Sequence, residues 1–105
     1  MGMTVFWTRF AENKLADIFD YYKTVASLNV ARKMVSGIVE HSISLKNDPL
    51  IGQTEEALSN RPQGFRYLVY RHYKIIYWVN KLDNRIEVSN VFDCRQNPTK
   101  MKTEP

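Results

Sequence analysis

Phe65-Arg66-Tyr67-Leu68-Val69-Tyr70, Tyr73-Lys74-Ile75-Ile76-Tyr77-Trp78-Val79 and Arg85-Ile86-Glu87-Val88-Ser89-Asn90-Val91-Phe92 are three runs rich in β-branched and aromatic residues, the composition of β-strands. Two residues separate the first pair of runs and five the second. Links that short join antiparallel neighbours, because parallel strands need a long crossover. The runs therefore predict a three-stranded antiparallel meander. It ends in Asp93-Cys94-Arg95-Gln96-Asn97-Pro98 and places Arg66, Lys74 and Arg95 on one small sheet.

Upstream of the sheet the period changes. Ala11, Leu15, Ile18, Tyr22 and Val25 recur at spacings of four and three, which puts them on one face of a helix. Thr8 is placed to cap it. Ser27-Leu28-Asn29 interrupts the pattern, and Ala31, Met34, Val35, Ile38, Ser42 and Leu45 set out a second helical face. Asn47-Asp48-Pro49 ends that helix, since proline cannot continue it and disfavours helical geometry at the residue before. Val5-Phe6-Trp7 is too brief for a helix and reads as an edge or partner strand. Residues 50–64, with Gly52, Pro62 and Gly64, read as an irregular loop holding one helical turn near Thr54 to Leu58.

The expected fold class is α+β: a single small domain over residues 1–105 with an N-terminal strand, an antiparallel helix pair and the meander, the helices on one face of the sheet. Residues 1–3 and 99–105 are expected to be flexible. On the third strand Ile86, Val88 and Phe92 are expected to face the helices, with Asn90, in the same alternating set, an exception near the end.

A chain of 105 residues with 44% hydrophobic and 25% charged residues can bury one core, which excludes a disordered protein. The single cysteine, Cys94, cannot form an internal disulfide, so a cytoplasmic location is expected. No run approaches the ~18 apolar residues of a membrane span, so no membrane partner is expected. The net charge of +4 is unevenly spread: residues 61–102 hold nine Lys or Arg against three acids, and residues 1–60 six against seven. A basic half beside a near-neutral one points to an anionic partner, either nucleic acid or an acidic protein segment.

Several chemistries lack their residues. His41, His72 and Cys94 are isolated from one another, without metal-ligand spacing, and none of the four glycines opens a helix after a strand as a phosphate loop would. No metal and no cofactor are expected. Cys94 beside Arg95 meets one requirement of a reactive thiol, but no histidine is placed near it. His72, between Arg71 and Tyr73 at a tight turn, is expected to be exposed and able to exchange protons near neutral pH. Tyr67, Tyr70, Tyr73, Tyr77 and Trp78 lie among Arg66, Arg71 and Lys74, a mixture suited to stacking bases and holding phosphates and equally common in sheet cores.

The order strand, helix, helix, three strands, with Tyr73-Lys74-Ile75-Ile76-Tyr77 and Val91-Phe92-Asp93-Cys94-Arg95-Gln96-Asn97-Pro98, resembles the RelE/ParE superfamily of bacterial toxins over nearly the whole chain. Pro49-Leu50-Ile51-Gly52 and Phe65-Arg66-Tyr67-Leu68 resemble that family's loop after the second helix and its entry to the sheet. The resemblance implies a type II toxin-antitoxin module, in which a cognate antitoxin wraps the toxin with a flexible segment and neutralises it. It also implies two activities. RelE-like members cut messenger RNA in the ribosomal A site, and there Arg66, Lys74 and Arg95 would be the catalytic cations that stabilise a pentavalent phosphorane. Tyr73 or His72 would move the proton, since no Tyr or His follows Phe92.

ParE-like members inhibit DNA gyrase and need only a binding surface, for which Arg66, Arg71, Tyr73, Lys74, Arg95 and Gln96 are the candidates for contact with target or antitoxin. The segment from Arg95 to Pro98 resembles the ParE branch, and that activity is the one expected. A RelE-like ribonuclease and a non-toxic, partner-binding member are the alternatives. The implied partners are the antitoxin and either gyrase or the ribosome with its messenger RNA.

Overall fold

Two side-chain oxygens decide where the helices begin. Thr8 Oγ1 accepts the Ala11 N–H at 3.1 Å and starts α1 (Arg9–Val25). Ser27 Oγ accepts the Val30 N–H at 3.1 Å and starts α2 (Leu28–Ile43). Each satisfies an amide that the first helical turn leaves without a backbone partner. A 3₁₀ turn over Ser44–Lys46 then tightens the end of α2 ahead of Pro49. This computed structural model describes residues 2–101.

Five strands accompany the helices: β1 (Thr4–Trp7), β2 (Gln53–Thr54), β3 (Arg66–Tyr70), β4 (Tyr73–Asn80) and β5 (Arg85–Asp93). They form one sheet in the order β1-β5-β4-β3-β2. The expected meander is β3-β4-β5, antiparallel throughout. β1 is an edge strand parallel to β5, with Thr4 opposite Arg85 and Trp7 opposite Val88. β2 adds an opposite edge that the sequence reading leaves inside a loop; its two residues pair with Arg66 and Tyr67 and are too few for alternation to register. The helical turn in the same segment is Glu56–Leu58. Among the described residues no helix is long and apolar enough to cross a membrane.

Both faces of the central strand are covered. On one, Tyr73, Ile75 and Tyr77 join Ile86, Val88 and Val91 beneath Ala11 and Ile18 of α1 and Ile38 of α2. On the other, Ile76 and Phe92 gather with Leu58, Phe65 and Met101. This second cluster accounts for the apolar residues on both faces of β4, since residues two apart share a face.

One facing assignment on β5 is corrected. Ile86 and Val88 face the helices as expected and Asn90 is the expected exception, but Phe92 does not face them. Tyr77 pairs with Val88 and Ile76 with Asn90, so Ser89 is an extra residue in the ladder. A bulge of this kind shifts the alternation by one, and Val91 takes the helix side while Phe92 joins the opposite cluster. Of the ends expected to be flexible, Met3 donates its N–H to Lys46 O at 3.2 Å, and Met101, 7% exposed, packs on the sheet after a 3₁₀ turn at Pro98–Lys100. Met1 and residues 102–105 lie outside the described residues.

Candidate functional site

Tyr73 opens β4 and pairs with Asp93, the last residue of β5. That pairing carries the chain after β5 alongside α1. Between them lies a cleft of about 280 Å³, lined by Lys14, Asp17 and Tyr21 from α1 and by Tyr73, Arg95 and Gln96 from the sheet end. Asp93 organises its rim. Its Oδ1 accepts the Arg95 backbone N–H at 2.9 Å and Nε–H at 3.0 Å, and its Oδ2 accepts Nη2–H at 2.7 Å. These bonds hold the Asp93 carboxyl below its usual range and hold the Arg95 proton more tightly still.

Tyr73 is 4% exposed. Burial, then the neighbouring Tyr22, pushes its pKa well above the ordinary tyrosine value, so its hydroxyl stays protonated. The Tyr22 hydroxyl also lies 3.2 Å from His72 Nε2, and the His72 ring sits 4.3 Å from that of Tyr73. His72 is therefore half-buried and not the solvent-facing turn residue expected, because α1 comes down over the β3–β4 turn. Arg71 does face solvent. It takes a positive φ of 56° in that turn and lays its guanidinium 5.7 Å from the centre of the Tyr70 ring.

Lys74 and Arg66 lie elsewhere. Lys74 projects from the face away from the helices, where its Nζ donates to Glu55 Oε1 at 2.9 Å and stands 4.2 Å from the centre of the Tyr67 ring. Arg66 pairs with Tyr77, four residues along β4 from Tyr73, and its Nη1 donates to Gly52 O at 2.8 Å. The structure thus gathers Tyr73, Arg95 and Gln96 at one cleft, with His72 behind and Arg71 at the adjoining turn. It sets Arg66 and Lys74 on opposite faces, each already bonded. Burial raises the Cys94 thiol pKa although Lys74 pulls it down, and the neighbouring Arg95 guanidinium is engaged by Asp93. Among the described residues no three His, Cys, Asp or Glu side chains gather as metal ligands would.

Sequence reasoning missed the α1 wall. Its signal was the stripe Lys14, Asp17, Tyr21 at spacings of three and four, running beside the apolar positions Ile18 and Tyr22 on the same helix.

A two-helix layer over one face of a five-stranded sheet, with a cleft at the end of that sheet lined by two cations and two carboxylates, is the architecture of the RelE/ParE superfamily of toxins. More narrowly, the chain belongs to the ParE toxin family of the type II toxin-antitoxin system parDE, whose family model matches residues 5–98. Among solved structures it is similar to the chromosomal ParDE toxin-antitoxin system from P. aeruginosa, with a TM-score of 0.72 and 25% identity over 87% of this chain and 95% of that one. The toxin-antitoxin complex RelBE2 from Mycobacterium tuberculosis shares the fold at a TM-score of 0.64 and 16% identity, over 89% of this chain and 99% of that one. A free-state mutant of the E. coli toxin RelE shares it at 0.50 and 12%, over 89% of this chain and 84% of that one. Comparison with curated protein sequences finds no match.

Proposed function

We propose that this protein arrests growth as a non-enzymatic inhibitor of DNA gyrase in the bacterial cytoplasm and is held inactive by a cognate antitoxin. The observation that carries this reading is the dispersal of the cations. Phosphoryl transfer needs positive groups converging on one phosphate together with a proton acceptor. Here Lys74 is engaged by Glu55 on one face, Arg66 by the Gly52 carbonyl on the other and Arg95 by Asp93 at the far end of the ladder. Tyr73, which lines the same cleft as Arg95, is kept protonated by burial.

A binding protein needs no such convergence. Arg71, Arg95 and Gln96 share one end of the sheet and offer an exposed polar surface to a partner, with the buried Tyr73 beneath it, while Arg66 and Lys74 stiffen the frame behind. The antitoxin partner is supported by the family match and by the ParDE and RelBE2 complexes among the similar structures.

Inducing the protein alone in bacteria tests the proposal. A DNA-damage response with intact messages within minutes is expected. Codon-periodic new 5′ ends in messenger RNA without a damage signal would replace it with ribosome-dependent cleavage.

A further inference from the structure

The bulge on β5 turns Ser89 toward the face of the sheet away from the helices, where a cavity of about 160 Å³ opens beside it. Bulges re-aim side chains in this way and are common next to active sites. Ser89 is 2% exposed, yet its hydroxyl has no hydrogen-bond partner among the described residues. Gln63 also lines the cavity, and its Oε1 is buried there without a partner. Buried polar groups almost always find one, so two unmet oxygens on one small cavity mark a place for a donor. The space is well above the ~15 Å³ that a single water needs. Water would satisfy the oxygens but leave the rings of Phe6 and Trp78, which also line the cavity, wet.

Glu87 supplies the charge. It lies opposite Phe6 of β1 and opposite Trp78 of β4, so the three side chains form a row across one face of the sheet. The Glu87 side chain is only 13% exposed, and its Oε2 accepts Asn80 Nδ2–H at 2.7 Å and faces Arg85 Nε at 3.5 Å. Its Oε1 has no partner among the described residues. Arg85 meanwhile lays its guanidinium 4.1 Å from the centre of the Phe6 ring. The row thus already holds one guanidinium between a ring face and a carboxylate. The cavity offers the same two contacts again, from Trp78 and Oε1, with Gln63 and Ser89 added.

We propose that this cavity binds a guanidinium group, carried by a free small molecule or by an arginine side chain of the antitoxin. A guanidinium is flat, permanently charged and rich in N–H donors. It can lie on the Trp78 ring while donating to Glu87 Oε1, Gln63 Oε1 and Ser89 Oγ. An anion would meet the Glu87 carboxylate, and an apolar group would leave all three oxygens unmet. Arg9, exposed at the mouth, is the internal competitor, since its own guanidinium repels an incoming one. The cavity shares no lining residue with the cleft of Tyr73 and Arg95, so the site stands apart from the gyrase reading.

Methylguanidinium is the probe, titrated into the full-length protein while the Trp78 and Ser89 resonances are followed by NMR, with sodium chloride at matched ionic strength as the control. A saturable shift is expected with the probe alone. Ser89→Ala removes a hydroxyl without a partner, so it is expected to melt like the wild type and to bind about threefold or more weakly. Glu87→Gln is expected to bind about tenfold or more weakly, and Arg9→Ala more tightly than the wild type. Displacement of the probe by the cognate antitoxin assigns the guanidinium to that partner, and simultaneous binding of both assigns it to a free small molecule. A shift that never saturates, one that sodium chloride reproduces, or undiminished affinity in Ser89→Ala would overturn the proposal.

Discussion

Lys74 and Glu55 form an ion pair of 2.9 Å on the face of the sheet away from the helices, with the Glu55 side chain only 5% exposed and that of Lys74 24%. Glu55 Oε2 also accepts the Ala57 N–H at 3.2 Å, and the Glu55 N–H donates to Phe65 O at 2.9 Å. A residue that looks like a free cation in the sequence is thus part of the joint between the 53–65 segment and the sheet. Replacing Lys74 with Ala strands a buried carboxylate, which is expected to cost about 1–3 kcal/mol, below the usual figure for fully buried pairs because Lys74 is partly solvated. Replacing both partners with Met should recover much of that loss. Denaturant unfolding of the single and double variants measures it; additive losses would show that the pair is not coupled.

The pH profile of stability should bend at both ends, and the signs follow from the shifts of Asp93 and of the buried tyrosines. The Arg95 bonds depress the Asp93 pKa below its reference of 3.8, so their contribution is present above the unfolded value and is lost as pH falls through the folded one. Asp93→Asn should remove that acid limb. Burial raises Tyr73 above its reference of 10.0, so the unfolded chain gives up that proton first and stability falls as pH rises past 10. Tyr73→Phe should reduce the alkaline limb and leave the part contributed by Tyr77, whose pKa burial also raises. Melting temperatures followed from acid to alkaline pH would show either limb unchanged if these assignments are wrong.

Gly52 and Gly37 should respond differently to alanine. A Cβ on Gly52 meets the Tyr67 backbone carbonyl and the buried Tyr77 hydroxyl, neither of which can swing away, so about 1–3 kcal/mol of destabilisation is expected. A Cβ on Gly37 would overlap the Tyr70 hydroxyl and ring. That ring is a half-buried side chain at the end of β3, and alanine offsets part of the clash by about 1 kcal/mol of helix propensity. Gly52→Ala should therefore be the more damaging in thermal or denaturant unfolding, and the reverse order would contradict the packing described.

How much of this was legible in the sequence depends on the range of the interaction. The cap at Thr8, the helical periods and the stop at Pro49 are local, and they stand in the structure where the residues put them. The β3-β4-β5 meander was readable because its links are short. The parallel pairing of β1 with β5 joins residues about eighty apart, which no local pattern encodes. The bulge at Ser89 reversed the face of Phe92, since alternation assumes an unbroken ladder. Glu55 escaped notice as the partner of Lys74 because it sits in a segment without periodicity. Arg95 could be placed beside Tyr73 only once the β4–β5 register was known.

The most direct test is DNA supercoiling by purified gyrase in the presence of this protein, with and without its antitoxin. The account predicts loss of supercoiling and accumulation of cleaved gyrase-DNA complexes, both reversed by antitoxin. Unaltered supercoiling at protein concentrations that arrest growth in cells would contradict it.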